Sequence, residues 1–86
     1  MRYELVYTHR AVKDIDKLDA KTKTRIGEAL VRHRDHLVAQ STRLTDPRIG
    51  TYRFRIGDYR VIFDVEGSEI VILRVGHRRE IYKRTR

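Results

Sequence analysis

Hydrophobic and polar residues alternate in the first segment of the chain and then recur at helical spacing. Residues 2–8, RYELVYT, alternate as a half-buried strand does. Apolar residues then recur every three or four positions in two segments, which predicts two helices. Thr8 is a candidate N-cap for the first helix, and Asp19 for a second helix that extends to about Val38. Because only a few residues separate the helices, we expect them to form an antiparallel hairpin.

A loop and three further strands account for the rest of the pattern. The loop covers residues 39–50 and contains the single proline of the chain. Strands are predicted at 51–56, 59–65 and 69–75, because these segments are rich in β-branched and aromatic residues and are separated by turn residues. The order βααβββ predicts one α+β domain over residues 1–86, with a mainly antiparallel sheet packed on the helical hairpin.

The turns between the last three strands fix a predicted register. Gly57-Asp58 is a two-residue hairpin signal, which places Arg55 opposite Arg60. A three-residue turn at 66–68 would place Arg60 opposite Arg74. In this register arginines from three neighbouring strands form a row across one face of the sheet.

The same register divides the side chains between two faces. The face expected to pack on the helices is apolar and comprises Tyr52, Phe54, Ile56, Tyr59, Val61, Phe63, Val71, Leu73 and Val75. The opposite face comprises Thr51, Arg53, Arg55, Arg60, Ile62, Asp64, Ile70, Ile72 and Arg74. Like charges directly across an antiparallel pair destabilise the sheet by up to about 1 kcal/mol, so folding alone does not favour this row. The row indicates a surface that binds a multiply charged anion; the alternative is a solvated face on which acids such as Asp64 pair with the arginines.

The composition adds a strong positive charge to this small domain. The chain has 86 residues, with 20 Lys+Arg against 12 Asp+Glu, and a formal net charge of +8. This charge favours a polyanionic partner such as RNA, DNA or an acidic protein, although a merely soluble basic protein would have the same composition. The chain contains no cysteine, which excludes disulfides and cysteine-ligated metal sites. Since no apolar run is long enough for a signal peptide or a membrane span, we expect a cytoplasmic protein.

The most specific motifs lie in the last part of the chain. TYRFRIGDYRVIFDV (51–65) is a strand of alternating basic residues followed by a turn and a second strand, and EIVILRVGHRREIYKR (69–84) ends in a basic cluster. Together with the preceding strand and helices, these segments resemble the RelE family of bacterial toxins, within the RelE/ParE superfamily of toxin–antitoxin systems. The resemblance implies a RelE-like fold and a ribosome-dependent endoribonuclease that cleaves messenger RNA in the A site, by attack of a ribose 2′-hydroxyl on the adjacent phosphate. It also implies a cognate antitoxin protein as partner, and neither a metal ion nor a cofactor.

The functional residues of the RelE family match five positions of this chain. Two basic residues on a strand, an arginine after the turn, an arginine after the last strand and a C-terminal tyrosine correspond to Arg53, Arg55, Arg60, Arg78 and Tyr82. Arg55, Arg60 and Arg78 are expected to stabilise the phosphorane, because planar guanidinium groups match phosphate oxygens. Tyr82 is expected to stack on a base, or alternatively to pack the chain end onto the sheet. The basic residues expected to hold the RNA are Arg53, Arg74, Arg79 and Lys83.

A proton acceptor for the 2′-hydroxyl is harder to identify. Some RelE relatives carry lysines at the two strand positions, whereas this chain carries Arg53 and Arg55, and arginine does not lose its proton in proteins. His77 is the remaining titratable side chain near the cluster, so we predict that it takes or gives a proton. Its alternative role is to shape the turn or to contact RNA.

Two other functions fit the same sequence. A gyrase-directed branch of the superfamily binds a protein and cleaves nothing; the presence of both Arg78 and Tyr82 favours the nuclease. A nucleic-acid-binding module without catalysis would use the same arginines, and its affinity would fall steeply with ionic strength. His33 and His36 lie three positions apart on the second helix but lack further ligands, so we expect a solvated helix face there rather than a metal site.

Overall fold

The computed structural model describes residues 2–46 and 48–81, which form two helices and five strands. In chain order these elements are β1 (Glu4–Tyr7), α1 (His9–Asp16), α2 (Ala20–His33), β2 (Thr42–Arg43), β3 (Tyr52–Ile56), β4 (Tyr59–Glu66) and β5 (Glu69–His77). The sheet order is β1-β5-β4-β3-β2, with β1 parallel to β5 and the other pairs antiparallel. The predicted α+β class and the order βααβββ are confirmed, with the two-residue strand β2 added inside the predicted loop.

The two helices begin at the predicted caps, but the second one ends earlier than predicted. The Thr8 hydroxyl accepts a hydrogen bond from the Ala11 amide at 3.1 Å, and Asp19 occupies the N-cap position of α2. α2 ends at His33 rather than near Val38, and the chain tightens into a 3-10 turn over Arg34–His36. A membrane-spanning helix needs about 20 apolar residues, and neither of the two described helices is long and apolar enough to cross a bilayer.

A hydrophobic cluster joins both helices to one face of the sheet. α1 contributes Ala11, α2 contributes Ile26 and Leu30, and Leu37 follows the 3-10 turn; all four are almost completely buried. The sheet contributes Phe54, Ile56, Val61, Phe63, Ile70, Ile72 and Val75. Each fully buried Leu, Ile or Phe side chain contributes about 1.5–3 kcal/mol. The cluster therefore holds the helical layer against one face of the sheet, and the arginines of β3 and β4 lie on the opposite face.

The β3–β4 hairpin has the predicted register. Arg55 lies opposite Arg60, and Ile56 lies opposite Tyr59. Gly57 adopts a φ of 59°, a left-handed conformation that glycine reaches without the Cβ clash of other residues. The sequence of this turn therefore determines the pairing of its two strands.

The predicted register of the β4–β5 hairpin is wrong. The turn contains two residues, Gly67-Ser68, so Glu66 lies opposite Glu69. Farther along, Phe63 pairs with Ile72 and Ile62 pairs with Arg74, which leaves Leu73 as an extra, bulged residue on β5. Arg60 consequently lies opposite Gly76 and not opposite Arg74.

This correction exchanges several side chains between the faces. Ile70 and Ile72, predicted for the arginine side, are fully buried in the core. Val71 lies opposite Asp64, and so belongs to the other side. The bulge then reverses the alternation once more, so that Val75 lies in the core as predicted. We call the side of β3, β4 and β5 that faces away from the helices the outer face; it includes Arg53, Arg55, Arg60, Ile62, Asp64, Val71 and Leu73.

Candidate nucleic-acid interface

The β3–β4 hairpin holds two arginines side by side on the outer face. Arg55 is exposed, whereas its partner Arg60 is only 8% exposed. Arg60 Nη1 donates hydrogen bonds to the carbonyl of Gly57 at 2.9 Å and to that of Tyr59 at 3.0 Å. These bonds fix one side of the Arg60 guanidinium to the turn, so the hairpin places a preorganised cation next to an exposed one.

The chain after β5 brings a third arginine to the same turn. The Arg78 amide donates to the Asp58 carbonyl at 2.7 Å, and Arg78 Nε lies 3.8 Å from Asp58 Oδ1. The Arg78 side chain is 52% exposed, and such an exposed ion pair contributes little to stability. Arg78 can therefore exchange Asp58 for a phosphate at low cost. We call Arg55, Arg60 and Arg78 the arginine cluster.

A fourth cation reaches this turn from the helix side. A methyl group built at Gly57 would come within 2.7 Å of Arg25 Nη2, so the guanidinium of Arg25 lies against the turn. Arg25 is exposed on α2. A role for Arg25 was not predicted from the sequence, because nothing in the helical spacing shows how far its side chain extends toward the sheet.

The outer face beside Arg60 is covered by the segment that follows β5. Glu80 and Ile81 donate their amides to the His77 carbonyl at 2.8 and 2.9 Å, which turns the chain back on itself. Ile81 is only 3% exposed and packs over Gly76, where an added Cβ would lie 3.1 Å from Ile81 Cδ1. Since Gly76 is the partner of Arg60, this contact provides an apolar wall for the arginine cluster. A glycine followed shortly by an apolar residue in a polar tail is the sequence signal that could have indicated it.

The structure does not bring His77 together with the arginine cluster. His77 pairs with Tyr59 on the helix side of the sheet, and the two rings meet edge to face at 5.5 Å. Its Nδ1 accepts a hydrogen bond from the Arg79 amide at 3.1 Å. In a neutral ring the proton then resides on Nε2. In this conformation His77 therefore offers a donor, rather than a free lone pair, away from the outer face.

The other predicted RNA contacts fall in different environments. Arg53 lies opposite Ile62 on the outer face, and Arg79 is exposed in the turn after β5. Arg74 Nε donates to Asp14 Oδ2 at 2.8 Å, in a pair that is mostly buried. Tyr82 and Lys83 lie outside the described residues, so the roles predicted for them stay predictions.

A loop covers the other end of the outer face. A Cβ at Gly50 would lie 2.5 Å from Ile62 Cγ2 and 3.0 Å from Leu73 Cδ1, so the loop backbone rests directly on these two side chains. Asp64 accepts the Thr51 amide at 2.7 Å through Oδ1. The Asp64 carboxylate thus fastens the loop instead of neutralising the arginines, and at the other end of the outer face Arg55 is exposed.

His33 at the end of α2 and His36 in the following 3-10 turn are not grouped with metal ligands. The His33 ring is 5.6 Å from the Phe54 ring, which makes it a half-buried packing residue rather than part of a solvated helix face. His36 follows in the 3-10 turn and is exposed. Among residues 2–46 and 48–81, no three His, Asp or Glu side chains form a group that could hold a metal ion.

Comparison with known proteins identifies the family. Residues 5–82 match the family model described as the ParE toxin of the type II toxin–antitoxin system parDE. Among curated proteins, no sequence matches this chain.

Solved structures share the fold over nearly the whole chain. The RelBE2 toxin–antitoxin complex of Mycobacterium tuberculosis contains a chain with 26% identity and a TM-score of 0.75, over 90% of this chain and 99% of that one. A chain of the archaeal RelE–RelB complex of Pyrococcus horikoshii OT3 has 26% identity and a TM-score of 0.71, over 93% and 99%. A mutant of Escherichia coli toxin RelE in the free state, at 22% identity and a TM-score of 0.73 over 95% and 92%, shares the fold. The chain belongs to the ParE toxin family within the RelE/ParE superfamily, and is a toxin of a type II toxin–antitoxin system.

Proposed function

We propose that this toxin is a ribosome-dependent endoribonuclease that cleaves messenger RNA in the A site without a metal ion. The observation that carries the proposal is the arginine cluster: Arg55 and Arg60 lie opposite each other next to the β3–β4 turn, and Arg78 is bonded to Asp58 in that turn. Gathering like charges costs free energy in the absence of a ligand. A phosphodiester that becomes a doubly charged phosphorane during reaction is the ligand that offsets this cost best.

The proposed reaction is a transesterification. The ribose 2′-oxygen attacks the adjacent phosphorus and gives up its proton to a base, and the bond from phosphorus to the 5′-oxygen breaks. The leaving 5′-oxygen takes up a proton. The products are a 2′,3′-cyclic phosphate and a free 5′-hydroxyl, so no water and no oxidant are consumed.

The three arginines divide the work according to their burial. Arg60 is held by two carbonyls of the turn and needs little reorganisation to stabilise the phosphorane. Arg55 and Arg78 are more exposed and are suited to close on the phosphate when RNA arrives. We place the RNA backbone along Arg53 and Arg79, and we leave out Arg74, because Asp14 already engages it.

The reaction also needs a base that accepts the proton of the 2′-hydroxyl. The His77 imidazole lies on the helix side of the sheet, and arginine is not a base at neutral pH. Among the residues that the structure describes, the arginine cluster therefore contains no strong base, and catalysis by charge stabilisation depends on the substrate being held in line for attack. This dependence supports a requirement for the ribosome, which would supply the geometry of the message.

The antitoxin is the second proposed partner. Structures similar to this chain contain RelE or RelBE2 toxins in complex with their antitoxins. We infer that a cognate antitoxin binds this chain and blocks the arginine cluster or distorts it.

Primer extension on a defined message in a purified translation system tests the nuclease. Wild-type toxin should produce cuts confined to the ribosomal A site, and Arg78→Ala should reduce them by about 100-fold or more, as expected for loss of one transition-state contact. Arg48→Ala is the matched control, since it removes an equal charge from a side chain that is 88% exposed and bound to Asp46. Intact message with wild-type toxin would overturn the proposal.

His77→Gln belongs in the same assay. Because the imidazole is turned toward Tyr59, we expect cleavage to remain within about threefold of wild type. A loss comparable to that of Arg78→Ala would instead support the proton-transfer role predicted from the sequence.

Inhibition of DNA gyrase is the second candidate function. The observation in its favour is that the matching family model is that of the ParE toxin. A supercoiling assay decides between the two: inhibition of gyrase by a protein that leaves the message intact would support this candidate.

A further inference from the structure

β5 continues beyond the end of its neighbour β1. The parallel ladder joins Glu4–Tyr7 to Glu69–Ile72. Within the described residues, no strand pairs with this edge of β5 after Ile72. Backbone groups at such an edge must find other partners. α1 supplies them through Thr8 and Asp14.

Thr8 binds Ile72, the last residue of β5 that pairs with β1. Its amide donates to the Ile72 carbonyl at 3.1 Å, and its hydroxyl donates to the same carbonyl at 2.9 Å. The hydroxyl oxygen also accepts the Ala11 amide at 3.1 Å. A single threonine therefore ties the start of α1 to the residue that precedes the bulge.

Asp14 binds the residues that follow the bulge. Its Oδ2 accepts Arg74 Nε at 2.8 Å and the Val75 amide at 3.0 Å, and its side chain is 10% exposed. A carboxylate that accepts both a guanidinium and a backbone N–H at low exposure makes strong, directional bonds. Thr8 thus holds the residue before the bulged Leu73, and Asp14 holds the two residues after it.

The bulge decides which side chains reach the arginine cluster. If β5 alternated strictly after the inward-facing Ile72, His77 would lie on the outer face and Arg78 would point toward the helices. The extra residue at Leu73 reverses this pattern. Arg78 consequently lies beside Asp58 at the turn, and His77 lies against Tyr59.

We propose that Asp14 is a positioning residue for Arg78. By holding the bulge at Leu73, Asp14 places Arg78 rather than His77 on the outer face. Asp14 itself does not touch RNA. The effect on cleavage rests on the proposed nuclease function, whereas the effect on the register of β5 does not.

The register can be measured by NMR in the free toxin. Asp14→Ala should weaken the cross-strand nuclear Overhauser effects between Val61 and Val75 and between Tyr59 and His77. It should also speed amide exchange at Val75 and Arg78 by about tenfold or more, because the end of β5 opens locally. Asp14→Asn keeps an oxygen for the Val75 amide and should give an intermediate result. Asp16→Ala, on the exposed end of the same helix, is the matched control and should leave both readouts unchanged.

Cleavage kinetics distinguish a positioning role from a purely structural one, because loss of folded protein alone would leave kcat per folded molecule unchanged. With Arg78 displaced but the rest of the surface intact, Asp14→Ala should lower kcat by about 10- to 100-fold while KM changes by less than about threefold. Asp14→Asn should recover part of kcat. A uniform loss of active protein, with kcat per folded molecule unchanged, would overturn the positioning role.

The two levels of the proposal fail in different ways. If both Asp14 variants keep the cross-strand nuclear Overhauser intensities and the amide exchange rates of the wild type, the inference is overturned, even if the toxin cleaves RNA. If wild-type toxin cleaves nothing, the proposed function fails, but the NMR data still decide whether Asp14 sets the register. If Asp14→Ala does not fold, the milder Asp14→Asn decides by the same criteria.

Discussion

The two hairpins of the sheet share β4 but obtain their registers from different sources. In the β3–β4 hairpin every residue pairs in order from the turn at Gly57-Asp58 to Tyr52 and Phe63. The β4–β5 hairpin starts from an equally tight turn at Gly67-Ser68, but takes in an extra residue at Leu73. The first register follows from local turn chemistry, whereas the second depends on a helix that precedes it by about 60 positions in the sequence. The arginine cluster draws on both, since Arg55 and Arg60 come from the first hairpin and Arg78 from the second.

Phe63→Ala should break both hairpins, because the residue lies on their common strand. The Phe63 ring is fully buried and stacks on Tyr52 at 5.3 Å. Its truncation should lower the free energy of unfolding by about 3–5 kcal/mol, a large part of the stability of a small domain. Urea unfolding followed by circular dichroism measures this, with Val31→Ala (57% exposed) as a control expected to change stability by less than about 0.5 kcal/mol. A loss below about 1 kcal/mol would mean that the core can collapse around the missing ring.

Alanine at the two hairpin glycines compares the turns directly. Gly57 and Gly67 have φ values of 59° and 60°, and an L-residue in this conformation costs about 1–2 kcal/mol. The surroundings differ: an added Cβ meets nothing within 4 Å at Gly67, but comes within 2.7 Å of Arg25 Nη2 at Gly57. Because the end of an arginine can move away, Gly57→Ala should cost only about 0.5 kcal/mol more than Gly67→Ala in the same unfolding assay. A larger difference would show that Arg25 is held rigidly against the first turn.

The smallest predicted effect on stability comes from Asp35, which binds the chain just before β1, and this effect depends on pH. Asp35 accepts the Tyr3 amide at 3.0 Å, and this bond, helped by nearby Arg34 and Arg2, lowers the pKa of Asp35. A carboxyl whose pKa is lower in the folded state stabilises the protein above its unfolded pKa of about 3.9. The contribution is lost as pH falls through the folded pKa. The stability difference between wild type and Asp35→Asn should therefore shrink from pH 6 toward pH 2.5 in urea titrations; a difference that does not change with pH would contradict this account.

Local signals allowed much of the fold to be predicted. Thr8 and Asp19 stand where the helices begin, and Gly57-Asp58 sets the first hairpin. The second hairpin was mispredicted because residues 69–75 are apolar at almost every position, so the sequence alone does not show which face is buried. The bulge is favoured by bonds from Thr8 and Asp14. Contacts between residues so far apart in the chain do not show in the hydrophobic periodicity of β5.

The candidate site shows the same division. The predicted neighbours Arg55 and Arg60 belong to the local hairpin and lie opposite each other. Arg74 and His77 follow the bulge, and their partners, Asp14 of α1 and Tyr59 of β4, are not visible in the local sequence pattern. The contact between Gly76 and Ile81 was missed because it depends on how the chain turns after β5.

The parallel pairing of β1 with β5 has a consequence for the synthesis of the toxin. Thr8 at the end of β1 and Ile72 of β5 are 64 positions apart, yet they share hydrogen bonds. A growing chain cannot make these bonds until β5 has left the ribosomal exit tunnel, so β1 and α1 wait without their partner for most of the elongation time. Pairings this distant fold slowly as well as late. The arginine cluster is thus assembled only after β5 and the turn that carries Arg78 have been synthesised and have paired with β4.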